Sequence, residues 1–96
     1  MSRAASDGHA DTVRLLAAKG ADFDVPDENG AMLVHKAAYE GHVEVVRVLH
    51  ELGAKVDTPD KDGRTPIYIA AQQGRVEVVR VLHELGAKME IGRAHV

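Results

Sequence analysis

The chain reads as an all-α repeat solenoid, stacked from turn-helix-helix units, and three observations predict it. Glycines recur at one interval: Gly8, Gly41 and Gly74 are 33 residues apart, as are Gly20, Gly53 and Gly86, and Gly30 and Gly63. Paired alanines keep the same register at Ala4-Ala5, Ala37-Ala38 and Ala70-Ala71. Between residues 41–55 and 74–88, fourteen of fifteen positions are identical, the exception being His42 against Arg75. A period of this length marks one supersecondary unit that cannot bury its apolar face alone.

The unit that opens at Gly63 shows the local logic. Thr65-Pro66 starts a helix, because the threonine hydroxyl can accept from an unpaired first-turn amide and proline at the first helical position loses no bond. This helix runs to about Gln73 and stops at Gly74, which can take the left-handed cap conformation. A second helix, Val76 to Leu85, ends the same way at Gly86. Its strongly polar residues, Glu77, Arg80 and Glu84, fall at i, i+3 and i+7 and share one narrow stripe. Most of its remaining circumference is apolar, so a single partner helix cannot cover it and neighbouring units must. The alanines suit that role, since small side chains let helices approach to the short end of the ~8–10 Å interaxial range. Between the helical pairs lie residues 24–30 and 57–63, which end in Asn29-Gly30 and Asp62-Gly63, a strong hairpin-turn signal.

At 96 residues the chain holds one small domain. Its only aromatics are Phe23, Tyr39 and Tyr68, so the core must be aliphatic. A formal net charge of -3 supplies no basic field for nucleic acid. The absence of cysteine removes disulfides, thiolate catalysis and cysteine-based zinc sites. No secretory leader or apolar run of ~20 residues occurs, which points to an intracellular protein, cytoplasmic or nuclear, without a membrane span.

The whole pattern resembles the ankyrin-repeat family, whose 33-residue unit is a hairpin turn and two antiparallel helices with a Thr-Pro-Leu-His-x-Ala signature. The resemblance covers residues 1–89, as a partial repeat (1–23) and two full ones (24–56 and 57–89). Residues 63–71 match the signature except that Tyr68 replaces its histidine, whereas residues 30–38 keep His35 but carry Met32-Leu33 for Thr-Pro. In the family those two polar residues tie the turn to the first helix, so the resemblance implies one missing tie in each full unit. The chain starts in mid-unit, and the pattern breaks at Glu90. Residues 90–96, Glu-Ile-Gly-Arg-Ala-His-Val, resemble the translation of a common sequencing adapter (GAGATCGGAAGAGCACACGTC) and are read as a non-native tail on a fragment. Neither end looks capped, so part of the Val76, Val79 and Leu82 surface should be exposed or covered by the tail.

For function, the resemblance implies a protein-protein interaction module that binds an unidentified protein partner through turn tips and first-helix faces, as a monomer within a longer array. Carried over by position, the candidate contacts are Glu28, Asn29, Ala31, Tyr39 and Glu40 in one unit and Lys61, Asp62, Arg64, Gln72 and Gln73 in the next. These positions differ between the two copies while the second helices are identical. Tyr39 and Arg64 are the preferred anchors, since tyrosine and arginine dominate interface energetics. The alternative makes the array a targeting or regulatory segment of a larger multidomain enzyme such as a kinase, and a spacer with no partner is a third reading.

Catalytic and metal chemistry find little foothold. His50-Glu51 and His83-Glu84 begin His-Glu-x-x-His motifs, but Ala54 and Ala87 stand where the second histidine belongs, so no catalytic residue, metal site or cofactor is assigned. The two histidines read as half-exposed helix residues rather than pH sensors, and the carboxylates of the Glu44, Arg47, Glu51 stripe as solvated ion pairs.

Met32→Thr with Leu33→Pro should restore the missing cap. A cap contributes ~0.5–2 kcal/mol, and a thermal melt should rise by several degrees, at about 4–8 °C per kcal/mol for a domain this small. An unchanged or lower midpoint refutes the missing-cap argument.

Overall fold

The computed structural model describes residues 9–23 and 25–86. Ala4-Ala5, Asp24 and the 90–96 tail lie outside them. The described residues form five helices: α1 (Ala10–Ala18), α2 (Leu33–Glu40), α3 (Val43–Glu51), α4 (Pro66–Gln72) and α5 (Val76–Glu84). Helix α2 pairs with α3 and α4 with α5, while α2 also packs on α4, and α3 lies between α1 and α5. Two layers result, with α2 and α4 side by side in one and α1, α3 and α5 in the other. This is the all-α repeat architecture expected from the period, and both helices of the last pair end one residue earlier than expected.

The core runs through the stack. Val13 of α1, Val45, Val46 and Leu49 of α3, and Val78 and Leu82 of α5 are buried in one layer, and Val34, Ala37, Ala38, Ile67 and Ala70 in the other. Each full burial of a branched aliphatic side chain contributes ~1.5–3 kcal/mol, and these residues are buried by neighbours from other pairs as well as their own.

Identical sequence does not give identical burial. Val46 is fully buried on α3, which packs against α5, but its equivalent Val79 is only half-buried, and Val76 is 63% exposed where Val43 is half-buried. Ala71 is exposed although Ala38 is buried. The α5 side of the stack therefore presents the open surface expected for Val76 and, less fully, for Val79, whereas Leu82 is wholly buried.

Surface charges follow the stack too. Arg14 of α1 pairs with Glu51 of α3 at 3.0 Å, and Arg47 of α3 with Glu84 of α5 at 3.5 Å, so each arginine reaches the next unit. Arg80 turns instead to Glu77 of its own helix at 3.7 Å. The solvated ion pairs of the stripe thus mostly bridge neighbouring helices. Each pair is exposed, and such pairs contribute little individually.

The caps divide as the sequence implied. Thr65 Oγ1 accepts from the Tyr68 amide at 3.3 Å at the start of α4. Met32 gives α2 no side-chain cap, and His35 supplies the other half, its Nδ1 accepting from the Met32 amide at 3.0 Å. Each pair has one of the two ties. Met32 and Leu33 are also buried, so replacing them exchanges apolar contact for a cap.

The connecting turns are closed by hydrogen bonds. The Gly30 amide donates to the Asp27 carbonyl and the Asp27 amide to the Ala31 carbonyl, and Asp60, Gly63 and Arg64 repeat the arrangement. Gly30 and Gly63 share a left-handed φ, 76° and 78°. Their surroundings differ. A methyl group on Gly30 would lie 2.9 Å from the Lys61 backbone nitrogen, while one on Gly63 would meet nothing within 4 Å. Both alanine substitutions should be destabilising, by about 1–2 kcal/mol for the backbone conformation alone. Gly30→Ala should lower the denaturant midpoint further than Gly63→Ala, and equal losses would show that the two turns do not press together.

Candidate functional site

The site begins at two aspartates that organise the turns. Asp27 Oδ1 accepts from the amides of Asn29 at 2.8 Å and Ala31 at 2.9 Å. Asp60 Oδ1 accepts likewise from Asp62 and Arg64, both at 2.9 Å. A short carboxylate can satisfy two turn amides at once, which explains aspartate at the first turn position. The second oxygens meet cations: Lys36 Nζ lies 3.5 Å from Asp27 Oδ2, and Arg64 Nε lies 3.2 Å from Asp60 Oδ2. Arg64 also reaches Asp62 at 3.2 Å.

The turns are tied to each other. The Lys61 amide donates to the Asn29 carbonyl at 3.1 Å, and His35 Nε2 lies 3.0 Å from the Arg64 carbonyl. Because His35 Nδ1 is occupied as an acceptor from Met32, Nε2 carries the proton and donates. At the far end of α2, Arg75 Nε donates to the Tyr39 carbonyl at 3.1 Å. Registry between the α2–α3 and α4–α5 pairs is thus held by polar contacts at both ends of the first-helix layer.

Between these ties lies a cavity of about 230 Å³. Of the ten candidate contacts, Asn29, Ala31, Tyr39, Arg64, Gln72 and Gln73 line it. Glu28, Glu40, Lys61 and Asp62 do not, and all four are exposed beside it. His35, Lys36, Asp60 and Ile69 complete the wall and were missed as site residues. Their signals were present: Asp27 and Asp60 share the 33-residue period and each stands three before a glycine, while Lys36 and Ile69 are equivalent positions that differ between copies.

The two preferred anchors are placed differently. Tyr39 is 50% exposed at the rim. Arg64 is committed to Asp60 and Asp62, so its guanidinium braces the turn and would have to exchange partners to meet a ligand.

Titration behaviour follows from these contacts. Bonds from the Ala31 and Asn29 amides hold the Asp27 carboxyl below its ordinary 3.8, helped by Lys36. Burial of Asp60 acts in the opposite direction, but amide bonds from Arg64 and Asp62 and the Arg64 charge outweigh it, so Asp60 is lowered too. Burial lowers His35 below 6.5, against the Arg64 carbonyl bond and the Asp60 charge. Among the described residues no group of three or more His, Cys, Asp or Glu is placed to hold a metal ion. His50 and His83 both lie at exposed helix positions. No described helix is long and apolar enough to cross a membrane.

For a lowered carboxylate the folded state binds fewer protons than the unfolded one, so its stabilisation is complete above 3.8 and is lost as pH falls through the folded value. Asp60 is only 8% exposed. Asp60→Ala should cost about 1–3 kcal/mol by stranding the turn amides and Arg64, and Asp27→Ala should cost less because water can replace its carboxylate. Urea titrations at neutral pH and near pH 3 check both points. The difference between wild type and Asp60→Ala should shrink in acid, and a constant difference contradicts the assignment.

Comparison with known families agrees with this geometry. A family model for ankyrin repeats in three copies matches residues 1–92, nearly the full chain. No curated protein matches the sequence. Members of the family generally serve as protein-interaction modules and are typically non-catalytic. With the period, the paired helices and the hydrogen-bonded turns in agreement, the chain belongs to the ankyrin-repeat family.

Proposed function

We propose that the chain binds a partner protein through the turn tips and first-helix face of its two complete units, bounded at residues 24–56 and 57–89. The cavity between α2 and α4 carries this reading, because it brings six of the ten candidate contacts into one concave surface. A concave, mostly preformed hollow with a few polar groups at its edge is where a protruding side chain can be desolvated and held.

Tyr39 serves as the anchor on this face, as a large, half-exposed ring at the rim. Gln72 and Gln73 stand beside the same hollow at the end of α4 and offer both donors and acceptors. Arg64 contributes by holding the third-unit turn in shape. Glu28, Glu40, Lys61 and Asp62 supply the charged border, where complementarity affects encounter rate and selectivity more than affinity. The carboxylate and arginine stripe on α3 and α5 lies in the other helical layer and belongs to stacking.

A photocrosslinking amino acid placed in turn at Tyr39, Gln73 and Glu44 tests the assignment in cells. Products of a single size are expected from Tyr39 and Gln73 and not from Glu44. Tyr39→Ala should weaken the captured complex about tenfold or more, the loss of ~1.4 kcal/mol or above that marks an interface anchor. Crosslinks from Glu44 alone would move the interface to the other layer.

A further inference from the structure

We propose that His35 is a proton-operated latch on this binding face: the neutral imidazole holds the Asn29–Met32 wall of the cavity closed against the neighbouring turn, and its imidazolium releases that wall. The inference rests on the cavity being the binding face, and it deepens that reading by adding a means of regulation.

Three features of the geometry support it. First, both ring nitrogens are engaged, and in opposite senses: Nδ1 accepts from the Met32 amide and Nε2 donates to the Arg64 carbonyl. A second proton has only Nδ1 to occupy, where it would face the Met32 N–H at a separation of 3.0 Å. Two donors cannot share that contact, so the imidazolium can keep Arg64 only by giving up Met32. Second, no acceptor stands in for the lost bond at the Met32 amide. Met32 occupies the position where Thr65 caps α4, and its thioether is only a weak sulfur acceptor toward the His35 amide, so His35 supplies the one strong side-chain cap of α2 among the described residues. Third, the ring is 2% exposed yet lines the cavity, so the hollow itself is the route by which water and a proton reach it.

The surrounding charges agree with a ring that stays neutral when the face is closed. On its own segment Lys36 and Asp27 pair with each other, and Glu28 and Glu40 stand at exposed positions. From the facing turn come Asp60, already matched to Arg64, and the carbonyls of Arg64 and Thr58. Helix α4 contributes Tyr68 as its one titratable side chain, and α3, packed against the other side of α2, carries its Glu44, Arg47, His50 and Glu51 at exposed positions. The acidic groups favour a charged ring, but burial outweighs them.

The linkage then has a definite sign. A histidine lowered in the closed state binds its proton more readily in the open one, so the closed wall is fully favoured above 6.5 and loses ground as pH falls from there to the folded value. Within that window one proton is taken up on opening, and the opening constant rises about tenfold per pH unit. By reciprocity, a partner side chain seated in the cavity covers the ring and opposes its protonation, so affinity declines as pH falls through the folded value of the free chain.

The test uses the unliganded full chain. Nitrogen-15 spectra of the imidazoles should show His35 as the Nε2–H tautomer at neutral pH and a two-donor ring in acid, with a midpoint below 6.5. The amides of Asn29, Ala31 and Met32 should shift with that same midpoint, and the Met32 amide, corrected for its intrinsic rate, should exchange about tenfold faster per pH unit. Amides of Val78 to Leu82 should not follow. In His35→Gln the pH-dependent shifts should disappear, and if that variant does not fold, the wild-type titration decides alone. A ring that keeps its tautomer down to about pH 5, or that titrates while Ala31 and Met32 stay unchanged, overturns the proposal. Failure here leaves the crosslinking result untouched, and failure of the crosslinking leaves the latch as a property of the fold.

Discussion

Every part of this molecule depends on one constraint: a helical pair with apolar surface around most of its second helix has no way to bury it unaided. Val46 is covered because α5 lies against it, and Val79, the same residue one period later, is half-exposed because no described helix does the same for it. Stability is therefore held mainly at the interfaces between units, where the sum of nearest-neighbour terms decides whether the stack persists. The small alanines of α2 and α4 are the concession that lets those interfaces close. Once the layers are in contact, the turns have no freedom left to choose their spacing, and the tips arrive side by side.

That arrival is what gives the proposed binding face its shape. Asp27 and Asp60 spend one oxygen each on two turn amides and offer the other to a cation, so each turn is rigid before it meets anything. Lys61 to Asn29 and His35 to Arg64 then join the turns. A surface whose geometry is settled in advance loses little entropy on binding. The Lys61 to Asn29 joint runs backbone to backbone, so side chains can differ at Tyr39 and Gln72, or at Lys36 and Ile69, without disturbing it.

Much of the architecture was legible in the primary structure because it is encoded by repetition. Gly41, Gly74 and Gly86 stop their helices with the left-handed backbone that their period announced, and the split caps at Met32-His35 and Thr65-Tyr68 followed from two departures from a signature. The candidate site was readable only as far as position along the unit determines exposure, which recovered the cavity residues at the tips and helix ends. It missed Asp60, whose carboxylate organises its own turn, and His35, whose ring reaches across the period to the Arg64 carbonyl. Residue type alone marks Arg64 as an anchor, and only the structure shows its guanidinium paired with two carboxylates. A repeat signature describes what each unit does for itself, whereas the His35 ring acts between units.

The ion pairs along α1, α3 and α5 carry one more consequence. Arg14 reaches forward to Glu51 and Arg47 forward to Glu84. The tiling is consequently polar, like a row of plugs and sockets all facing one way. A neighbour docked in the same sense continues the alternation, whereas one turned end for end would set arginine against arginine. Weak as each bond is, the row encodes direction, and direction is what separates an ordered stack from indiscriminate aggregation of apolar helices.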